Sequence, residues 1–275
     1  IMSSDWSSDV CSSDLPLKER HVEQFRLYYD ELVTWNERFN LTAITDYEGA
    51  QVRHFLDSLS CLKTLPWSDL QSGARLIDVG TGAGFPGLPL KIICPGIELT
   101  LLEATRKKGD FLKHLIDRLG LRNVTVIHAR AEELGREPIH RERYDWALAR
   151  AVAEMPTLAE YLLPLVRVGG SALAQKGEGA PAEVHDAAEA IRILGGRVRK
   201  LVPVHLHGLA ETRYLVLVDK AVTTPVKYPR RPGMPGKRPL GVADVIEASA
   251  IEGGRMSLNR GLAAAFVSAL SIGGG

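Results

Sequence analysis

Apolar residues recur at helical spacing at Val22, Phe25, Tyr29, Leu32 and Phe39, in a stretch that lacks Pro and Gly. That pattern predicts an amphipathic helix over roughly residues 18–38. A second helix is expected over 48–65, where Pro66 stops it, so residues 15–69 read as a small N-terminal helical extension. From residue 75 the period changes. Short β-rich runs near 75–79, 98–103, 124–128, 144–149, 171–175, 197–204 and 213–220 follow one another, and helical stretches separate the first six. Such alternation means βαβ units, hence a parallel sheet covered on both faces with right-handed crossovers. The link between the last two runs, 207–211, is too short for a helical crossover, so the final strand is expected to run antiparallel to its neighbour. The expected class is α/β, with the main domain over 70–220.

The first strand breaks into glycines, reading Ile77-Asp78-Val79-Gly80-Thr81-Gly82-Ala83-Gly84-Phe85-Pro86-Gly87. Glycine serves there because side chains hold a ligand off the backbone and because such turns use positive φ. Two ligand classes fit. Residues 82–87 satisfy the dinucleotide fingerprint, with Glu103 at the end of the next strand available for a ribose. Residues 78–84 equally satisfy the pattern by which S-adenosylmethionine enzymes hold that cofactor. Ligands of open α/β sheets sit beyond the carboxyl ends of the strands, where Asp78, Glu103, Arg130 to Glu132 and Arg150 are all expected.

Each candidate has a plainer reading beside it. Asp78 lies where a cofactor ammonium would sit, and a carboxylate there can equally cap the turn. Glu103 can accept from both ribose hydroxyls, with Ala104 and Thr105 bordering the adenosine; alone it would be a surface carboxylate. Ala131 and Glu132 follow the third strand, near the adenine edge, although Glu132 also suits a helix first turn. Phe85 is either a core plug or a ring against a sulfonium cation. Arg150 ends the fourth strand in apolar surroundings, and an arginine at the rim of a core points to a site. His54 and Asp57 fall three apart on one helix face beside Arg53, a spacing that suits a local pair of the two.

Six segments in register carry a closer resemblance: Asn40-Leu41-Thr42, Arg53-His54-Phe55-Leu56-Asp57-Ser58, the glycine segment, Leu102 to Lys108, Arg130-Ala131-Glu132 and Ala149-Arg150-Ala151. With the ending Tyr228-Pro229-Arg230-Arg231-Pro232 through Leu240, they span about residues 17–240. In these the chain resembles the bacterial small-subunit ribosomal RNA guanine-N7 methyltransferases, the RsmG or GidB family. The resemblance implies the seven-stranded Rossmann-like sheet of S-adenosylmethionine-dependent methyltransferases. It also implies methylation of a guanine in the decoding-region loop of 16S rRNA, with S-adenosyl-L-methionine as cofactor. The partner is then 16S rRNA or the small ribosomal subunit, with the 48–65 helix, including Arg53 and His54, as one wall of the site. A nicotinamide-dependent oxidoreductase, or an inactive fold that only binds RNA, are the competing readings. The first lacks a proton donor and a substrate domain after residue 150.

Composition bounds the rest. At 275 residues and 45% hydrophobic content the chain can bury a sizeable core. No apolar run reaches membrane-spanning length. Cys11, Cys61 and Cys94 are odd in number and free of metal spacing, so neither a disulfide framework nor a bound metal is expected. His205 and His207 share a strand face without a third ligand. These features suit a soluble, monomeric cytoplasmic protein. The net charge of +1 averages over uneven segments: residues 220–240 carry six Lys or Arg and no Asp or Glu. Five prolines between 225 and 239 favour an extended, exposed segment over 221–240 that tracks phosphates, with Arg230, Arg231, Lys237 and Arg238 as contacts. Arg192, Arg197, Arg199 and Lys200 are weaker candidates. Residues 1–14, with Ser-Ser-Asp three times and an opening Ile, are expected to be disordered and an assembly artefact. Residues 241–275 are an appended tail with no assigned role.

Overall fold

The computed structural model of the chain describes residues 17–241; the expectations for 1–14 and 242–275 fall outside them. The first helix, α1 (Glu19–Asn36), forms where the apolar stripe predicts it, and buries Phe25, Tyr28 and Leu32. The second predicted helix is one helical path of changing pitch. An α turn at Tyr47–Ala50, capped by the Asp46 carboxylate, runs into a π-helical segment at Gln51–Leu56, an α turn at Asp57–Leu59 and a 3-10 turn at Ser60–Lys63. Residue spacing cannot distinguish these pitches. π segments are rare and frequently lie at functional sites.

Seven strands follow: β1 (Arg75–Val79), β2 (Glu98–Leu102), β3 (Val124–Ile127), β4 (Tyr144–Arg150), β5 (Val166–Lys176), β6 (Gly196–Val204) and β7 (Arg213–Lys220). They form one sheet in the order β3-β2-β1-β4-β5-β7-β6. The first five pair in parallel, and β7 inserts antiparallel between β5 and β6. β5 begins five residues before the predicted run because its first part, rich in glycine, lacks the apolar signature. The order reverses between β1 and β4, so the loops leaving those two strands diverge and open a crevice at their carboxyl ends.

Alternation along the strands divides the core in two. One layer takes Leu76 of β1, Trp146 and Leu148 of β4, Leu173 of β5, and Leu215 and Leu217 of β7, with Phe25, Tyr28 and Phe55 of the N-terminal helices. The other takes Ile77, Val79, Ala147, Ala149, Ala172, Ala174, Val216 and Val218, with residues of α5 (Met155–Leu162) and α6 (Ala180–Ile193). The remaining crossover helices are α2 (Gly87–Ile93), α3 (Arg106–Arg118) and α4 (Ala131–Leu134). The N-terminal extension therefore shares its core with the sheet. Side chains alternate faces along a strand, so Asp78, Arg150, Gln175 and Arg213 continue the front-face series of their strands and turn toward the N-terminal helices.

The basic Pro-rich segment differs from its expected form: it is packed against the domain. Arg141 donates to the carbonyls of Thr224 and Tyr228, each at 2.7 Å, and Arg136 to that of Pro229 at 2.8 Å. Tyr228, Pro235 and Leu240 are buried. Proline withdraws N–H donors, but the carbonyls remain, and arginines of the domain use them to fasten the segment.

Candidate functional site

The loop after β1 is held by its own strand and by an aromatic column. Asp78, fully buried, accepts from the Thr81 hydroxyl at 2.6 Å and the Gly87 amide at 2.8 Å through one oxygen. The turn-capping reading thus describes half of its carboxylate; the other oxygen, Oδ1, has no hydrogen-bond partner. Burial pushes its pKa up to about 6. Gly80 and Gly82 sit at φ +65° and +61°, the left-handed region that side chains disfavour. A Cβ on Gly80 would stand 2.8 Å from Val152 Cγ2, whereas one on Gly82 would have nothing nearer than a carbonyl at 4.0 Å. The loop therefore leaves open space above Gly82. Glu103 braces it from β2, accepting from the Gly82 amide at 3.0 Å and the Thr105 amide at 2.8 Å.

Phe85 requires a correction. It is 4% exposed and stacks on Tyr28 at 5.2 Å and on His54 at 4.5 Å, with the Arg150 guanidinium 4.8 Å from its ring centre. Tyr28 in turn donates to the Ala83 carbonyl at 2.6 Å. Phe85 is a core plug that ties the glycine loop to the N-terminal helices, and the cation on its ring is an arginine. Periodicity could not show this, because the partners lie in elements remote in sequence.

The pairing of His54 with Asp57 is corrected too. Both turn to Arg150, whose guanidinium donates to Asp57 Oδ2 at 3.0 Å and to the Arg53 carbonyl at 3.0 Å, with His54 Nδ1 at 3.4 Å. The far ring nitrogen of His54 meets the Thr42 hydroxyl at 2.8 Å. Burial and the adjacent guanidinium lower the His54 pKa to about 4, so the ring is neutral at physiological pH. His54 is buried while Arg53 is exposed.

Two clefts flank the loop that leaves β4. One, of about 320 Å³, is lined by Arg53, His54, Asp57, Arg150, Gln175 and Arg213, among others. The other, of about 220 Å³, is lined by Gly80, Ala104, Arg130, Ala131, Glu132 and Tyr161, with Val152 at its wall. Residues 150–152 divide them: Arg150 and Ala151 face the first, Val152 the second. Ala151 holds φ +53°, a strained value for a residue with a Cβ. Gln175 and Arg213 were not among the residues singled out from sequence, and Asp57 was singled out only as a local partner of His54. Gln175, a polar side chain inside an apolar strand, carried the one legible signal.

Arg230 leaves the group of exposed cations. It grips Glu160, which is fully buried, through contacts at 2.7–3.1 Å, and its amide donates to the same carboxylate at 2.6 Å. Arg231, Lys237 and Arg238 are exposed. The segment also reaches the second cleft, since the Gly233 amide donates to Glu132 at 2.8 Å. Among the described residues, no group of three or more His, Cys, Asp or Glu could hold a metal ion, and no helix is long and apolar enough to cross a membrane.

A β7-inserted sheet of this order, with a glycine loop and an acidic residue closing the next strand, defines a methyltransferase-type nucleotide-binding fold. The family model for rRNA small subunit methyltransferase G (GidB) matches residues 21–212. The chain is 54% identical over 226 residues to the ribosomal RNA small subunit methyltransferase G of Roseiflexus sp. (strain RS-1), covering 82% of this chain and 94% of that protein. It is 50% identical over 224 residues to the protein of that name from Pelotomaculum thermopropionicum, covering 82% and 92%. Among solved structures, a SAM-dependent methyltransferase from Aquifex aeolicus is similar at 18% identity and a TM-score of 0.47, covering 63% of this chain and 93% of that one. The chain belongs to the rRNA small subunit methyltransferase G family.

Proposed function

We propose that the protein transfers a methyl group from S-adenosylmethionine to N7 of a guanine in 16S rRNA. The observation that carries this reading is the pair of clefts meeting at residues 150–152, one floored by the glycine loop and one lined by cations. The residues suit the cofactor. Gly82 leaves room against the backbone and Gly80 lines the second cleft, and Asp78 Oδ1 is a buried acceptor in need of a donor. Glu103 braces the loop with oxygens that retain lone pairs for ribose hydroxyls, and Ala104, Thr105, Ala131 and Glu132 border the adenosine. When bound, the cofactor supplies an electrophilic methyl group.

The protein's task is then positional. Guanine N7 carries a free lone pair at neutral pH, so no general base is required. Arg150 is held by Asp57 and the Arg53 carbonyl at the edge of the cleft, where it can fix the O6 edge and leave N7 free; a bidentate O6/N7 grip would block the attacked atom. Its locked rotamer fixes the base relative to the methyl donor, and alignment of that kind removes much of a displacement barrier. The neutral His54 adds no competing charge. N7 lies in the narrow major groove of A-form RNA, so the base must be unpaired or turned out of its stack. Arg53, Arg231, Lys237 and Arg238 are exposed cations that can meet the RNA backbone, and the cytoplasm is where such a substrate is met. Incubating the protein with 16S rRNA and S-adenosylmethionine, then mapping N7-methylguanine by aniline-type cleavage and mass spectrometry, tests the reading. Methyl incorporation at a single loop guanine supports it; a thermal shift with NAD and none with S-adenosylhomocysteine would favour the oxidoreductase reading.

A further inference from the structure

Two residues that line the cation-lined cleft each carry a buried acceptor atom without a hydrogen-bond partner: Asp57 Oδ1 and Gln175 Oε1. Asp57 is 5% exposed and Gln175 6%. Each is fixed at its other end. Asp57 Oδ2 is taken by Arg150 at 3.0 Å, and Gln175 Nε2 donates to the Asp57 carbonyl at 2.6 Å and lies 3.4 Å from Ser60 Oγ. Neither side chain can turn to satisfy its free oxygen without breaking these contacts. A buried acceptor left unpaired is costly, and its persistence in one cleft wall, twice, marks a place where donors belong.

We propose that Asp57 and Gln175 read the Watson–Crick edge of the target base, and so select guanine. The inference rests on the reading of this cleft as the base pocket. Guanine presents, in sequence along that edge, the O6 acceptor, the N1–H donor and the 2-amino donor. The wall offers complementary groups: the Arg150 guanidinium, the Asp57 oxygen and the Gln175 oxygen. Adenine reverses the first two, setting its 6-amino group against the guanidinium and its N1 lone pair against the carboxylate. Sites built to hydrogen-bond a group reject analogues that leave the site's own polar atoms unpaired. The contact with N1–H also strengthens as the reaction proceeds, because alkylation at N7 makes the ring cationic and N1–H a better donor. No proton is transferred; the carboxylate stabilises the charge by accepting a stronger hydrogen bond.

The test uses two rRNA fragments that span the target loop, one with guanosine and one with inosine, which lacks only the 2-amino group, at the methylated position. The wild-type protein is expected to lose about tenfold in kcat/KM on the inosine fragment. Gln175→Leu is expected to lose a similar factor on guanosine and less than about twofold more on inosine, because the donor and its acceptor are then both gone. This cycle also removes any difference in N7 nucleophilicity between the two bases, which Gln175→Leu would leave unchanged. Asp57→Asn, which turns an acceptor into a donor, is expected to lose about 100-fold on both fragments. Equal turnover of the two fragments by the wild type, which requires no variant to fold, would overturn the proposal. So would independent, multiplying losses in the Gln175→Leu cycle, the result a purely structural Gln175 gives. If the wild type methylates neither the guanosine fragment, nor intact 16S rRNA, nor the assembled small subunit, the base-pocket reading itself fails and this inference with it.

Discussion

Replacing Gly80 or Gly82 with alanine separates the folding role of the glycine loop from its ligand role. Both backbones are left-handed, so each alanine costs about 1–2 kcal/mol in strain. At Gly80 the new Cβ also stands 2.8 Å from Val152 Cγ2, and overpacking of that kind adds about 1–3 kcal/mol. At Gly82 the nearest atom is 4.0 Å away, so the strain stands alone. For a domain of this size about 1 kcal/mol shifts Tm by about 2–4 °C. Gly82→Ala is therefore expected to melt only a few degrees low, and Gly80→Ala by about twice as much. Affinity should rank the other way relative to stability: the Gly82 Cβ enters the space above the loop, and S-adenosylhomocysteine binding measured by calorimetry should weaken at least tenfold in a folded protein. If Gly82→Ala binds with an unchanged Kd, the loop is not the cofactor cradle.

The other perturbations act on the cation-lined cleft, on Asp78 and on the Pro-rich segment over 221–240. Removing Asp57 as Asp57→Ala leaves the part-buried Arg150 without its counter-charge, and about 1.5–3 kcal/mol of stability should be lost; the double variant Asp57→Leu/Arg150→Met should regain most of it in urea melts while remaining inactive. Arg150→Ala should fail in turnover more than in S-adenosylhomocysteine affinity, and full turnover by a folded Arg150→Ala protein would remove it from the site. The His54 pKa is depressed from 6.5 to about 4, so its neutral burial contributes stability that is present above pH 6.5 and lost as pH falls toward 4. Asp78, raised to about 6, works in the opposite sense, losing stability as pH rises through that value. The destabilisation caused by His54→Gln should therefore be about 2 kcal/mol smaller at pH 5 than at pH 7.5, and an equal effect at both pH values would contradict the burial argument. Removing Arg231, Lys237 and Arg238 together should lower the salt slope of RNA binding by about two to three without changing Tm. Arg230→Ala should do the reverse, since its partner Glu160 is buried.

The sheet was legible because β-rich runs and helical runs differ in period, and the short 207–211 link announced the antiparallel β7. The glycine loop and Glu103 were legible because backbone demands at such a turn restrict residue type. What escaped was everything set by contact between remote elements. Asp57 stood in a visible motif, yet its partner lies on β4, and only the period-2 alternation that aims Arg150 at the front face, combined with the packing of the N-terminal helices there, brings the two together. Phe85 looked available to a ligand because its column of Tyr28 and His54 is assembled from three elements. Arg230 counted as a free cation because its acid, Glu160, lies 70 residues away on α5. Charge density in a Pro-rich stretch says nothing about whether arginines elsewhere fasten its carbonyls.

Methyl transfer to N7 of one guanine in small-subunit rRNA leaves a mark that mass mapping reads on 16S rRNA from cells with and without the gene, complemented by the wild type and by Arg150→Ala. A single N7-methylguanine in a loop of the small-subunit RNA is expected to vanish without the gene, return with the wild type and stay absent with Arg150→Ala. An identical methylation map in all four strains would contradict it.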